Sequence, residues 1–215
     1  MATTLVIGNK NYSSWSLRPW LLLRHFGVAF EEVRLPLDTP EFHERVGGLS
    51  PSRRVPALHD GERVVWDSLA ICEYANERWL DGLGWPADIG RRALARSAAA
   101  EMHSGFPALR GQLPMNVRRQ PREKHWDAAA DADISRVQAL WASLRREAAG
   151  GDFLLGEFGI VDAMFAPVCV RFRGYGVATG PVAGAYMDAV FGLPAMREWV
   201  AAALAETERV GADEA

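Results

Sequence analysis

Apolar positions along the first eighty residues switch between two periods. Leu5-Val6-Ile7 is a short unbroken apolar run closed by Gly8-Asn9, the pattern of a buried strand. From Leu17 the spacing becomes helical and runs to Phe26, where Gly27 supplies a stop. Pro19 is expected in the first turn of that helix, where its missing N–H costs nothing. Phe30, Val33, Leu35 and Leu37 predict a second strand. Thr39-Pro40-Glu41 then opens a helix, with Thr39 as N-cap and Pro40 first in line, that ends near Gly47-Gly48. Asp60-Gly61 joins Val55–His59 to Arg63–Trp66 as a hairpin, and Asp67 or Ser68 caps a helix over 69–79. The order is β-α-β-α-β-β-α, which suggests a four-stranded mixed sheet with helices on both faces.

Beyond residue 80 the period-2 signal disappears. Asp81-Gly82-Leu83-Gly84-Trp85-Pro86 is a Gly/Pro-rich break, so residues 81–90 are expected to link an α/β unit (1–80) to an all-helical unit (91–215). A long Ala-rich helix is predicted from Arg91 to Arg110, kinked near Pro107. Ile134, Val137, Leu140, Trp141 and Leu144 give an amphipathic helix over 131–149, its apolar stripe a core face. Helices over 186–191 and 194–205 complete the unit.

Composition narrows the function classes. A net charge of −3 offers no basic footprint for nucleic acid, although arginine supplies 22 of the 24 basic residues. The arginine pairs are scattered along the chain, as on solvated helix or loop faces. Cys72 and Cys169 each sit in an apolar helical pattern without metal-ligand spacing, so neither a disulfide framework nor a metal is expected. No apolar run reaches membrane-spanning length and no secretory signal is visible at the N-terminus, which points to a cytoplasmic protein.

The chemistry-bearing residues lie at junctions. Ser13, Ser14 and Ser16 fall between the first strand and the first helix, where serine serves equally as a cap or as an O–H donor beside the positive helix end. Val55-Pro56 opens a strand, where proline is an ordinary first residue in trans or, in cis, turns the Val55 backbone toward an extended ligand. Asp67-Ser68 is a helix N-cap that also suits a bound carboxylate.

Taken together, these three junctions resemble the cytosolic glutathione transferases. Ser13-Ser14-Trp15-Ser16-Leu17-Arg18 is most similar to the Ser-Ser-Cys-Ser-Trp-Arg motif of the zeta class, from which Trp15 and Leu17 depart. The resemblance implies a thioredoxin-like N-terminal domain, a helical C-terminal domain and a homodimer. It makes Ser13 the catalytic hydroxyl, with Ser14 as a second hydroxyl beside it. It pairs the Val55 backbone with the cysteinyl part of glutathione and makes Pro56 the family's cis-proline. Arg54 would lie near the glycyl carboxylate, and Asp67-Ser68 would hold the γ-glutamyl end. Phe153-Leu154-Leu155-Gly156 and Gly159–Ala163 resemble the start of the family's buried helix, with Asp162 structural and Gly159 where a capping Ser or Thr is usual.

The implied chemistry is feasible. A free thiol with pKa near 8.5 is only a few per cent ionised at neutral pH. Lowering it by about two units takes roughly 2.7 kcal/mol, which one charge-assisted hydrogen bond plus a helix dipole can supply. The lack of a cysteine in the Asn11–Ser16 turn argues against glutaredoxin-like exchange. An electrophile pocket is expected between the two units, from His103, Phe106, Arg110, Met115, Asn116, Arg171, Arg173 and Tyr175. The reading is thiolate attack on a small electrophile. Its alternatives are cis–trans isomerisation of a maleyl-type acid, or a binding module on the same fold.

Overall fold

The computed structural model describes residues 3–122 and 124–214. Its first half forms β1 (Thr3–Ile7), α1 (Ser14–His25), β2 (Glu31–Arg34), α2 (Pro40–Leu49), β3 (Ala57–Asp60), β4 (Arg63–Trp66) and α3 (Ser68–Arg78). The sheet runs β2-β1-β3-β4. β1 is parallel to β2 across the α1 crossover and antiparallel to β3, which pairs antiparallel with β4. This is a thioredoxin-like α/β domain. Leu5, Val6 and Ile7 are all fully buried because β1 is central and covered on both faces. Successive side chains alternate between two cores: Leu5 and Ile7 join the large cluster containing Leu17, Leu21 and Ile71, while Val6 joins Leu35, Val46 and Ala57.

Several boundaries differ from the pattern-based expectation. The second strand covers only Glu31–Arg34, and Leu35 adds one further bond to the Ile7 carbonyl at 2.9 Å before Pro36 removes the next donor. The hairpin turns one residue later than Asp60-Gly61: Asp60 pairs with Arg63, leaving Gly61-Glu62 as the loop, with Gly61 at φ +62°. A two-residue hairpin needs positive φ at its first central position, and Gly61 provides it. α2 continues through Gly47 and Gly48 to Leu49.

The second half is helical: α4 (Ile89–Ser104), α5 (Pro107–Gln112), α6 (Ala128–Glu147), α7 (Ile160–Tyr175), α8 (Pro181–Gly192), α9 (Pro194–Ala205) and a 3₁₀ turn at Gly211–Asp213. No strand follows β4 among the described residues. The long helix expected over 91–110 breaks instead of kinking. Pro107 disfavours helical backbone at the residue before it, and Phe106 adopts φ +60°. Asp133 of α6 then caps the new helix by accepting from the N–H groups of Ala108 and Leu109, both at 3.0 Å.

α7 runs through the core, buried on nearly every side and packed against α1 and α4. Asp162 anchors its start, accepting from Leu154 N at 3.0 Å and Gly159 N at 2.9 Å. The other half of the capping box needs a side chain at 159. A Cβ there would lie 2.7 Å from the Gly84 carbonyl, which already accepts from Ile160 N at 2.9 Å. Close approach of the 81–90 segment therefore excludes the capping Ser or Thr. Gly159→Ser should lower stability by about 1–2 kcal/mol in chemical denaturation despite completing the cap, because overpacking outweighs one hydrogen bond.

Candidate active site

The turn between β1 and α1 is held mostly by the C-terminal half of the chain. Tyr12 N and Ser13 N both donate to the Asn9 carbonyl, at 3.2 and 2.8 Å. Glu206 accepts from Lys10 N at 2.8 Å and Asn11 N at 3.0 Å, and Trp199 Nε1 donates to the Lys10 carbonyl at 2.9 Å. Asn11 Nδ2 donates to Asn116 Oδ1 at 3.0 Å, while Asn11 Oδ1 accepts from Arg118 N at 2.9 Å. Arg118 Nη2 reaches the Tyr12 hydroxyl at 2.6 Å, and that hydroxyl also bonds Glu214. Groups nearly two hundred residues away thus satisfy backbone donors that the turn leaves open.

At the end of this turn Ser13 caps α1. Its Oγ accepts from Ser16 N at 3.4 Å and donates at 2.7 Å to Ser16 Oγ, which also accepts from Gly8 N at 3.2 Å. Ser14, half-buried, makes no side-chain hydrogen bond among the described residues. Because the helix starts at Ser14, Pro19 falls beyond the first turn expected for it and leaves the Trp15 carbonyl without an i+4 donor.

A cleft of about 380 Å³ opens onto the turn. Tyr12, Ser13, Ser14 and Trp15 form one wall, Arg53, Arg54 and Val55 a second, and Arg110, Pro114, Met115, Arg171 and Asp213 the third. The Val55–Pro56 peptide is cis, and Pro56 is buried behind Val55. Val55 stands outside the β3 ladder, and its backbone N–H and carbonyl make no hydrogen bond among the described residues. Ser13, Ser14, Arg54 and Val55 therefore meet in one cleft. Asp67 and Ser68 do not line it. Asp67, at φ +75°, caps α3 by accepting from Leu69 N at 2.9 Å, and Ser68 Oγ accepts from Arg18 Nη1 at 3.3 Å. Larger hollows at the β3–β4 hairpin and along residues 81–87 include none of the turn.

The third wall is cationic. Arg171 is buried on α7, its Nε donating to the Leu113 carbonyl at 2.9 Å and its Nη1 to the Pro167 carbonyl at 3.2 Å. Burial, and then the nearby Arg110 charge, push the Arg171 guanidinium down to about 10. Arg18, also buried, is lowered to about 9, first by burial and then by Arg110 and Arg171. Among the described residues no acid lies within ion-pair distance of Arg18, Arg110 or Arg171. The face of Trp15 lies 4.2 Å from the Arg18 guanidinium and 4.5 Å from that of Arg110, a cation–π platform. Asp213 brings a half-buried carboxyl, raised by burial and pulled back by Arg171.

The other predicted pocket residues have different places. His103 sits edge-on to Trp15 with centroids 5.3 Å apart, its Nε2 3.4 Å from Asp67 Oδ2, tying α4 to the start of α3. Phe106 is buried at the α4–α5 break, and Asn116 is spent on Asn11 and the Asp213 carbonyl. Arg173 stacks 3.2 Å over Phe191 and lies 4.0 Å from Asp188, toward α8 and away from the cleft. Sequence reasoning missed Asp213 and the latch through Glu206, for which no local signal exists. Trp15 was visible only as a departure from a motif.

Comparison with known proteins bears on both halves of the chain. Models of the glutathione S-transferase N-terminal domain and C-terminal domain match residues 12–78 and 127–202. A zeta-class glutathione S-transferase of Euphorbia esula is 35% identical over 109 residues, covering 48% of this chain and 47% of its own. The chain thus aligns with about half the length of that relative. A maleylacetoacetate isomerase of Rattus norvegicus is 28% identical over 176 residues, covering 80% of this chain and 79% of its own. A crystal structure of a Burkholderia glutathione transferase homolog with bound glutathione superposes with a TM-score of 0.73 at 24% identity, covering 96% of this chain and all of that one.

Proposed function

The chain belongs to the glutathione S-transferase family through both of its domains, and we propose that it binds glutathione in the Ser13 cleft and presents the thiolate to a small electrophile. The carrying observation is that Ser13, Ser14 and the unpaired backbone of Val55 line one cleft at the N-terminus of α1. In this reading the Val55 amide and carbonyl pair with the cysteinyl residue as an added strand would. Arg54, with Arg53 beside it, faces the glycyl carboxylate, and the Ser13 hydroxyl meets the sulfur where the helix dipole also favours negative charge. The capped start of α3 at Asp67-Ser68 takes the γ-glutamyl end just outside the cleft wall. Residues 81–90 then act as the linker between a glutathione-binding unit and a helical unit supplying the electrophile side.

The same reading makes the protein a cytoplasmic homodimer. Among the described residues no helix is long and apolar enough to cross a membrane. Exposed Trp66 on β4 and Leu94 on α4 offer apolar contact area for self-association. Retention on immobilised glutathione, followed by conjugation assays, tests the assignment. Failure to bind would instead favour a non-catalytic module on the same fold.

A second reading has its own observation. Arg110 and Arg171 line the cleft, and among the described residues no carboxylate lies within ion-pair distance of either, an arrangement that suits an electrophile carrying a carboxylate, as in isomerisation of a maleyl-type acid. There the thiolate adds, rotation follows and the same thiolate leaves. Arg110→Gln should raise KM for maleylacetone by about tenfold, the scale of one charge-assisted hydrogen bond, while KM for glutathione changes by less than about twofold. An unchanged maleylacetone KM would remove Arg110 from substrate binding.

A further inference from the structure

Lys10 and Asn11 sit in the middle of the turn that leads to Ser13, and the helical half of the chain supplies partners for all four of their backbone polar groups. Glu206, just beyond α9, takes both amides, accepting from Lys10 N at 2.8 Å on one oxygen and from Asn11 N at 3.0 Å on the other. Trp199 Nε1 donates to the Lys10 carbonyl at 2.9 Å, and Val117 N donates to the Asn11 carbonyl at 3.1 Å. Both residues are buried, and neither amide has another acceptor among the described residues. Glu206 is itself fixed. Its side chain is 8% exposed and lies 3.7 Å from Arg34 Nη1 of β2, and its carbonyl accepts from Arg118 Nη1 at 2.5 Å.

A short turn transmits such a hold directly. Tyr12 N and Ser13 N both close onto the Asn9 carbonyl, at 3.2 and 2.8 Å, so residues 9–13 move as one unit. Tilting the 10–11 peptide tilts Ser13 and the first turn of α1 against the cleft. Without the Glu206 carboxylate, two adjacent buried N–H groups lose their acceptor while the carbonyls beside them stay clamped. The turn then twists or admits water. A shift of about 1 Å in a positioned group can cost about 10²-fold in rate.

We propose that Glu206 is a positioning residue for the active-site turn, holding Ser13 and the N-terminus of α1 where thiolate stabilisation requires them. It does not line the cleft and acts only through the turn. A carboxylate suits the task because it only accepts and offers one oxygen to each amide. The helical domain thereby sets the geometry of a group that belongs to the thioredoxin-like domain.

The inference rests on the reading that glutathione ionises in the Ser13 cleft, and the variants separate the two claims. The readout is the ultraviolet thiolate absorbance of glutathione bound to the intact protein. It is titrated with pH for wild type, Glu206→Ala, Glu206→Gln, Ser13→Ala and Gly159→Ser. Glu206→Ala is expected to lower the thiolate fraction at pH 7 by about threefold to tenfold and kcat by a similar factor. Glutathione affinity should stay within about threefold, because Arg54 and Val55 are untouched. Glu206→Gln keeps the size of the side chain but turns an NH₂ donor toward one amide. It should show a smaller shift in the same direction, and it carries the test if the alanine variant does not fold. Gly159→Ser, which disturbs α7 away from the turn, should lower the melting temperature and leave the titration at its wild-type value. An equal shift in Gly159→Ser, or no shift in the Glu206 variants, overturns the positioning role. A raised thiol pKa in the Glu206 variants with none in Ser13→Ala supports the positioning role and moves the donor off Ser13. A free-thiol titration in wild type overturns the reading beneath both.

Discussion

Ser13→Ala should cut kcat/KM for conjugation by about 10²-fold while glutathione affinity falls by less than about tenfold. Removing one positioned donor from a developing or resident anion costs on the order of 10²–10³ in rate. Affinity is carried elsewhere, by the Val55 backbone and the charged ends of the peptide. Ser13 also caps α1 through a long 3.4 Å bond, so the variant should lose about 0.5–1 kcal/mol of stability, too little to unfold a domain of this size. Ser14→Ala is the control. Its hydroxyl makes no hydrogen bond among the described residues, and activity should stay within about threefold of wild type. Stopped-flow or steady-state conjugation assays read both variants. Loss confined to Ser14→Ala would transfer the catalytic role to that neighbour.

Asp162→Ala should destabilise the protein by about 2–4 kcal/mol without touching the cleft. The substitution orphans the N–H groups of Leu154 and Gly159 in a fully buried site, at about 1–3 kcal/mol each, partly relieved by local rearrangement. The size of the loss should depend on pH. Burial raises the Asp162 carboxyl to about 7, against the opposing pull of its two N–H donors. A carboxyl raised on folding binds more protons in the native than in the unfolded state, so wild-type stability falls as pH rises from about 4 toward 7. The alanine variant lacks that slope, and the deficit is largest at acidic pH and narrows toward pH 8. Urea denaturation at pH 5, 6.5 and 8 measures it. A deficit that grows with pH would mean that the N–H donors hold Asp162 as a carboxylate.

Local signals in the sequence were sufficient for the first domain. Thr39-Pro40, Asp67 and the apolar run of β1 each act through their immediate neighbours, so the order β-α-β-α-β-β-α was legible before any packing was known. Thr39 does accept from Phe42 N, at 3.2 Å, as a cap should. What escaped were events decided by tertiary contact. The α4–α5 break depends on how Pro107 and Asp133 meet, and Gly159 is explained by the Gly84 carbonyl, 75 residues earlier in the chain. Arg171 and Arg173 lie two residues apart on one helix and face opposite fates, one into the cleft and one over Phe191. No spacing rule separates them without knowing what packs on each side of α7.

The serine turn shows the same division. Its residue types pointed to a donor at a helix start, and the family resemblance supplied the partners at Val55 and Pro56. The geometry behind it was invisible in the sequence: Glu206 on the Lys10 and Asn11 amides, Asn116 on Asn11, and the guanidinium platform on Trp15. The tryptophan in place of the motif's cysteine gives the Arg18 and Arg110 guanidinium groups an aromatic face to pack on.

The most direct test of the proposed function is the ionisation of glutathione in the complex. Thiolate absorbance of glutathione bound to the wild-type protein should titrate about two pH units below the free thiol value near 8.5, so that most of it is ionised at pH 7. Bound glutathione whose thiol titrates at its free value would contradict the account, because the Ser13 cleft would then hold the peptide without activating it.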